Sequence, residues 1–231
     1  GGIQMMNDQM VSGHRERLRK RYLKAGIEGL QDYEVIELLL TYTILRKDCK
    51  NIAKQLLLKY EDINNFFHLE EKDFTSNKYI SERTFILFKL IGDIIEKKLY
   101  YDVTQKKIKI SNNKRLIQYL KYTLGTKKIE IFKVLFLNTQ NELIKDENLF
   151  YGTVDKSAVH PRELVKKVLE YDAKSVILVH NHPSGALKPS ESDVLITTKL
   201  KHLLDKLEIK LLDHIIVSPY GYFSFLEGGI L

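Results

Sequence analysis

The chain has 231 residues, 44% hydrophobic and 29% charged, the composition of a globular protein with material for one or two cores. No apolar run approaches the roughly 18 residues of a membrane span, and a single cysteine, Cys49, excludes an intrachain disulfide and a cysteine-based zinc framework. The expectation is a protein of the reducing cytoplasm with no membrane partner. The formal net charge of +7 is unevenly placed: acids and bases nearly balance over residues 1–105 and again over 129–231, while 106–128 hold Lys106, Lys107, Lys109, Lys114, Arg115, Lys121, Lys127 and Lys128 and no acid.

The first hundred residues read as helices. A basic cluster, Arg15, Arg17, Arg19, Lys20, Arg21 and Lys24, is interrupted only by Glu16. Together with Lys106, Lys107 and Lys109 it offers positive charge to phosphates, or else a solvated helix face. Asp32 to Leu40 opens on a capping candidate and carries apolar residues at helical spacing. Asn51 to Tyr60 keeps that period through Ile52, Leu56 and Leu57, and Thr84 to Leu99 forms a third helix that Ser81 would cap. Cys49 reads as a small buried hydrophobe.

Beyond about residue 105 the pattern changes. Arg115 to Leu124 predicts a short helix, Ile129 to Asn138 a strand, Asn138 to Asn141 a turn and Glu142 to Phe150 the returning strand. His160-Pro161 opens a helix to about Tyr171, with proline at its first position. Then come an apolar strand, Ser175 to His180, a helix from Ser190 to about Leu207, a strand from Lys210 to Val217 and a last strand near Gly221–Phe225. Helices first and then mixed strands and helices predict an α+β protein: a small all-helical domain over 1–105 and a second domain over 106–231.

The run His180-Asn181-His182-Pro183-Ser184-Gly185, followed by Ser190 and Asp193, carries the chemistry. Strand side chains alternate, so His180 and His182 share a face. Two imidazoles and a returning carboxylate suit zinc, and three protein ligands leave its fourth position open, as in catalytic sites. Asp193 also has a structural reading, since Ser190-Glu191-Ser192-Asp193 is a capping box. His160 reads as a helix-entry residue and His214 as a buried residue with a satisfied hydrogen bond.

The spacing His-x-His-x7-Ser-x2-Asp is similar to the JAMM (MPN-type) metalloprotease motif, and the run His180 to Gly185 resembles the bacterial RadC family. Glu130 to Asn138, His160 to Glu163, Asp213 to Val217, His14 to Arg19 and Glu37 to Leu40 resemble the same family, so the match spans nearly the whole chain. The resemblance implies a cytidine-deaminase-like α/β sandwich holding one zinc, preceded by a helix-hairpin-helix-like domain. It implies His180, His182 and Asp193 as ligands, Ser190 as stabiliser of the transition state and a glutamate at the start of an early strand as general base. Glu130 fits that place and Glu163, at a helix start, is its rival.

Two positions depart from the family pattern. Ala186-Leu187-Lys188-Pro189 lacks the usual acid after the glycine, and Asn77-Lys78-Tyr79-Ile80-Ser81 has no glycine where the hairpin normally offers amides to phosphate. The function implied is a zinc-dependent metallopeptidase-like hydrolase, in which metal-activated water attacks an amide or isopeptide bond of a protein or peptide. The alternative is a DNA-associated repair or recombination factor with a structural zinc, reaching nucleic acid through its basic segments. Asn181 and Ser184 are expected to shape the loop rather than bind metal.

Overall fold

The computed structural model describes residues 2–45, 47–104, 114–152 and 160–231, with the side chains of residues 2–12 and Phe74 outside the description. The chain divides into two compact units, Gly1–Ile95 and Glu96–Leu231.

The described residues of the first unit are helical, without a strand. They form α1 (Gly2–Ala25), α2 (Asp32–Leu40), α3 (Lys50–Tyr60), α4 (Glu71–Ser76) and the start of α5 (Glu82–Thr104), which from Glu96 belongs to the second unit. Ile36, Leu40, Ala53, Leu56, Phe66 and Phe88 make its core, with Cys49 buried beside them. α1 had no helical apolar period to announce it: among its described side chains Leu18 alone is buried. It is held instead by polar ties. Arg21 pairs with Glu34 of α2 at 2.7 Å, and His14 Nε2 meets Glu37 Oε1 at 2.8 Å. The cap of α2 lies one residue before the expected one: the Gln31 N–H donates to Glu34 Oε2 at 3.0 Å, and Asp32 is the first helical residue. Ser81 caps α5 as expected, accepting from the Thr84 N–H at 3.3 Å.

The second unit is a five-stranded sheet between two helical layers. Its strands are β1 (Ile131–Leu137), β2 (Leu143–Tyr151), β3 (Ser175–Asn181), β4 (Lys210–Ser218) and β5 (Gly221–Ser224), in the order β2-β1-β3-β4-β5. β1 is antiparallel to β2 and to β3, β3 is parallel to β4, and β5 returns antiparallel to β4. The β3–β4 crossover is α8 (Glu191–Asp205), and α7 (Pro161–Glu170) precedes β3.

Alternation sorts β1 and β3 cleanly between the layers. Phe132, Val134, Phe136, Val176 and Leu178 pack with Leu164 and Val168 of α7 and Ile196 and Leu200 of α8. Ile131, Leu135, Ile177 and Val179 pack on the other side with Leu116 and Leu120 of α6 (Lys114–Leu120), which ends in a π-helical turn, Lys121–Gly125, where one continuous helix was expected. Both central strands are buried throughout, which is why they read as unbroken apolar runs. β4 carries a bulge: Val176 faces Leu211 but Ile177 faces Asp213, so an extra residue, Leu212, intervenes and reverses the parity of the rest of the strand.

Candidate metal centre

Sheet register assembles the centre. β3 ends where β1 begins, because the two run antiparallel, and Phe132 lies opposite His180. Continued by two residues, that register sets Glu130 opposite His182, and directly opposed residues share a face. It is the α8 face, since Phe132 packs there and its ring stacks on His180 at 6.3 Å between centroids. The first turn of α8 sits beyond the carboxyl end of β3, the usual place for a ligand in a sheet with a parallel crossover.

The distances fit. One donor atom each of Glu130, His180 and His182 lie within 4.8 Å of one another, a group that could hold a metal ion. Asp193 approaches the same histidines from α8: His180 Nε2 is 3.1 Å from Oδ1, and His182 Nε2 is 3.5 Å from Oδ2. The two Nε2 atoms are 2.9 Å apart. Donors around a tetrahedral zinc at about 2.0–2.1 Å stand about 3.3 Å from one another, so the two histidines and Asp193 need move by only a few tenths of an ångström.

The donor chemistry also asks for a cation. His182 Nδ1 lies 2.8 Å from the carbonyl oxygen of Ala186. A carbonyl can only accept, so Nδ1 carries the proton and Nε2 presents its lone pair to the centre. Asp193 is buried at 2% exposure. Burial alone would raise its carboxyl, but His180 and then His182 outweigh that and hold it well below the usual carboxylate range. Without a metal, a proton on His182 Nε2 can donate to Asp193, which raises His182 above the ordinary histidine value against the opposing effect of its partial burial; a cation would take that proton's place. An anion and two imidazole nitrogens gathered in a largely buried site would be compensated by a cation.

Asp193 takes up the capping role that its spacing from Ser190 predicts. Its Oδ2 accepts from the Ser190 N–H and the Ser190 hydroxyl, each at 2.7 Å, and its own N–H donates to Ser190 Oγ at 3.1 Å. Oδ1 is left to face His180. Gly185 closes the loop with φ at +85°, a conformation that favours glycine.

The comparisons with known proteins agree with this geometry. The model of the RadC-like JAB domain matches residues 110–230. UPF0758 protein FN0909 of Fusobacterium nucleatum is 40% identical over 98% of this chain and 100% of its own. UPF0758 protein SPO0054 of Ruegeria pomeroyi is 35% identical over 96% and 98%, and UPF0758 protein NTHI1125 of Haemophilus influenzae 36% over 92% and 96%. The chain belongs to the RadC family.

Within this RadC chain the remaining sequence candidates fall into distinct places. Glu163 stands exposed in the first turn of α7 and His160 is the exposed residue before it, and neither joins the histidine group. Asn181 does not shape its own loop. Buried completely, it reaches across to β1: Oδ1 accepts from the Ile131 N–H at 2.7 Å, and Nδ2 donates to Ile129 O at 3.0 Å and Lys127 O at 3.2 Å. It therefore clamps the backbone on both sides of Glu130, while Gly152 N–H donates to Glu130 O at 2.8 Å from the β2 side. Ser184 does act in its loop, accepting from the Ala186 N–H at 3.4 Å.

Of the basic candidates, Arg15 turns inward, donating through Nη2 to the carbonyls of Ile44 at 2.8 Å and Lys47 at 2.6 Å, whereas Arg19 is exposed on α1. Lys106, Lys107 and Lys109 lie outside the described residues. In the hairpin before α5, Asn77 itself takes the amides a phosphate would need: its Oδ1 accepts from Tyr79 N–H and its carbonyl from Ile80 N–H, both at 3.0 Å.

No helix among the described residues is long and apolar enough to cross a membrane. Two residues adjoining the centre carried no sequence signal as site residues. His214 Nε2 lies 2.8 Å from His180 Nδ1, and its Nδ1 lies 2.6 Å from the hydroxyl of Thr197. His214 is sealed between Phe225, stacked at 4.7 Å, and the edge-on ring of Phe132 at 5.8 Å. Burial first, then the neighbouring His180, push it well below the usual histidine value, so it is neutral.

Proposed function

We propose that this chain is a zinc-dependent hydrolase of amide or isopeptide bonds, with His180, His182 and Asp193 holding the metal and Glu130 as general base. The observation that carries the reading is the position of Glu130: half-buried, in register opposite His182, with a carboxylate oxygen within 4.8 Å of a donor nitrogen of both imidazoles. When bound, zinc supplies Lewis acidity, polarising a carbonyl and making water acidic near pH 7. Glu130 takes the proton that water loses and returns it to the leaving amine. Its backbone, fixed by Asn181 and Gly152, holds the carboxylate at one place for both transfers. Ser190 first orients Asp193. Its hydroxyl can turn to the substrate oxyanion only by leaving Oδ2, which keeps its bond from the Ser190 N–H. Of the features the DNA-associated alternative would use, Arg15 and the Tyr79 and Ile80 amides are engaged internally, while Arg19 stays exposed.

The test is elemental analysis beside a hydrolysis assay. Wild type carries about one zinc per chain and cleaves a peptide or isopeptide panel; His182→Ala loses the zinc. Glu130→Gln keeps zinc and loses cleavage. A well-folded wild-type chain that takes up no supplied zinc refutes the metal centre, and cleavage retained in Glu130→Gln refutes the base.

A further inference from the structure

We infer that Thr197 and His214 form a one-way hydrogen-bond chain that sets the tautomer of His180 and so keeps its Nε2 open to a metal. They are positioning residues, two and one bonds removed from the ligand. The inference rests on His180 being a ligand, but the direction of the chain comes from donor counting alone.

The counting starts at Asp193. Its backbone carbonyl lies 2.5 Å from Thr197 Oγ1, and a carbonyl only accepts, so the one hydroxyl proton of Thr197 points there. Thr197 Oγ1 can then only accept along its other contact, 2.6 Å from His214 Nδ1, which therefore carries the proton. Enclosed between Phe132 and Phe225, with Thr197 and His180 as its ring partners and no carboxylate on either nitrogen, His214 carries the one proton on Nδ1, so its Nε2 accepts from His180 Nδ1 at 2.8 Å. His180 is thus protonated at Nδ1, and its Nε2 lone pair faces His182 and Asp193. All members are buried, with His180 and His214 at 0% exposure and Thr197 at 3%, so water does not offer alternative partners.

The two histidines reach one tautomer by different means. His182 meets a carbonyl directly, that of Ala186. His180 points its outer nitrogen at another histidine, which could donate or accept; Thr197 removes that ambiguity. The chain also closes on the centre, since it starts at the backbone of Asp193 and ends at His180, whose Nε2 lies 3.1 Å from the Asp193 side chain. The bulge at Leu212 makes this possible by turning His214 toward α8.

The test uses histidine labelled with ¹⁵N in the full chain, with His180 assigned by comparison with His180→Gln. Long-range ¹H–¹⁵N correlation on metal-free protein reads the tautomer, and chelator competition reads zinc affinity. Wild type is expected to show His180 protonated at Nδ1. Thr197→Val keeps the shape but removes the hydroxyl; it is expected to shift His180 toward the Nε2–H form and to lower zinc affinity about 10–100-fold. Thr197→Ser is expected to restore both. His214→Phe, which fits between Phe132 and Phe225, gives an independent route to the same loss should the valine variant fold poorly. A wild-type His180 protonated at Nε2, or a folded Thr197→Val or His214→Phe chain with unchanged tautomer and affinity, overturns the inference. A wild-type chain with the stated tautomer but no zinc uptake leaves the relay standing and removes the metal reading instead.

Discussion

Asn181→Ala tests whether the second residue of the His-x-His run serves the base rather than the metal. The side chain makes three hydrogen bonds from a fully buried position. Their loss is not uniform. Ile129 is exposed, so its carbonyl and that of Lys127 regain water at about 1 kcal/mol or less between them. The Ile131 N–H belongs to a residue at 4% exposure, and leaving it without a partner costs about 1–3 kcal/mol. The sum is about 1–4 kcal/mol, read as a lowered urea midpoint of the metal-free protein at unchanged slope, so that metal linkage does not enter. Zinc content should stay near wild type, since Asn181 touches neither Asp193 nor an imidazole nitrogen in any of these bonds. Turnover of any cleaved substrate should fall by about 10²-fold as Glu130 loses its fixed backbone. A midpoint change worth less than about 1 kcal/mol, or zinc loss as complete as in His182→Ala, would refute the clamp.

Three further outcomes are expected from other parts of the fold. Asp146→Ala strands the buried Lys133 ammonium and removes the acceptor of the Tyr119 hydroxyl at 2.7 Å, and is expected to cost about 3–5 kcal/mol, whereas Lys133→Met with Asp146→Leu and Tyr119→Phe should come close to neutral in the same denaturation assay. Gly92→Ala in α5 would normally gain about 1 kcal/mol of helix propensity, but here a Cβ would lie 2.1 Å from the Phe67 carbonyl oxygen, so thermal melting should show a loss. The Arg21 hydrogen bond holds the Glu34 carboxyl below its ordinary value, so its stabilisation is present above the unfolded glutamate range and lost as pH falls through the lowered folded value. Arg21→Met should therefore flatten the acid limb of the stability–pH curve; an unchanged limb would show that the pair contributes nothing.

The sequence made legible those features that one element can encode. β3 was an apolar run buried on both faces, and its histidines shared parity with Val176 and Leu178. The start of α8 was legible as a capping box, and β1 as a buried run beginning beside Glu130. Features that depend on two elements were hidden. α1 is tied down by Arg15, His14 and Arg21 reaching other segments, and local periodicity does not record such bonds. Nothing near Asn181 announces its partners at Lys127, Ile129 and Ile131, which antiparallel pairing brings within reach. His214 was legible as a buried, satisfied histidine, but its direction depends on the bulge at Leu212, which breaks the alternation on which strand reading relies.

The spacing from Ser190 to Asp193 shows why a metal motif can coincide with a helix-start signal. A ligand carboxylate must be held in one orientation, or ordering it on metal binding costs side-chain entropy. The first turn of α8 supplies that hold: the Ser190 N–H and hydroxyl fix Oδ2, and unpaired amides at the helix start favour the negative charge. Oδ1 is then aimed at His180 by the geometry of the cap itself. The same turn places Thr197, one helical turn further along, with its hydroxyl on the Asp193 carbonyl. One stretch of helix thus orients the carboxylate through its side chain and, through Asp193 O, Thr197 and His214, the first imidazole. Under the proposed metal reading, capping and ligation would be a single arrangement, and substitutions in this turn that alter helix stability should alter metal affinity in the same direction.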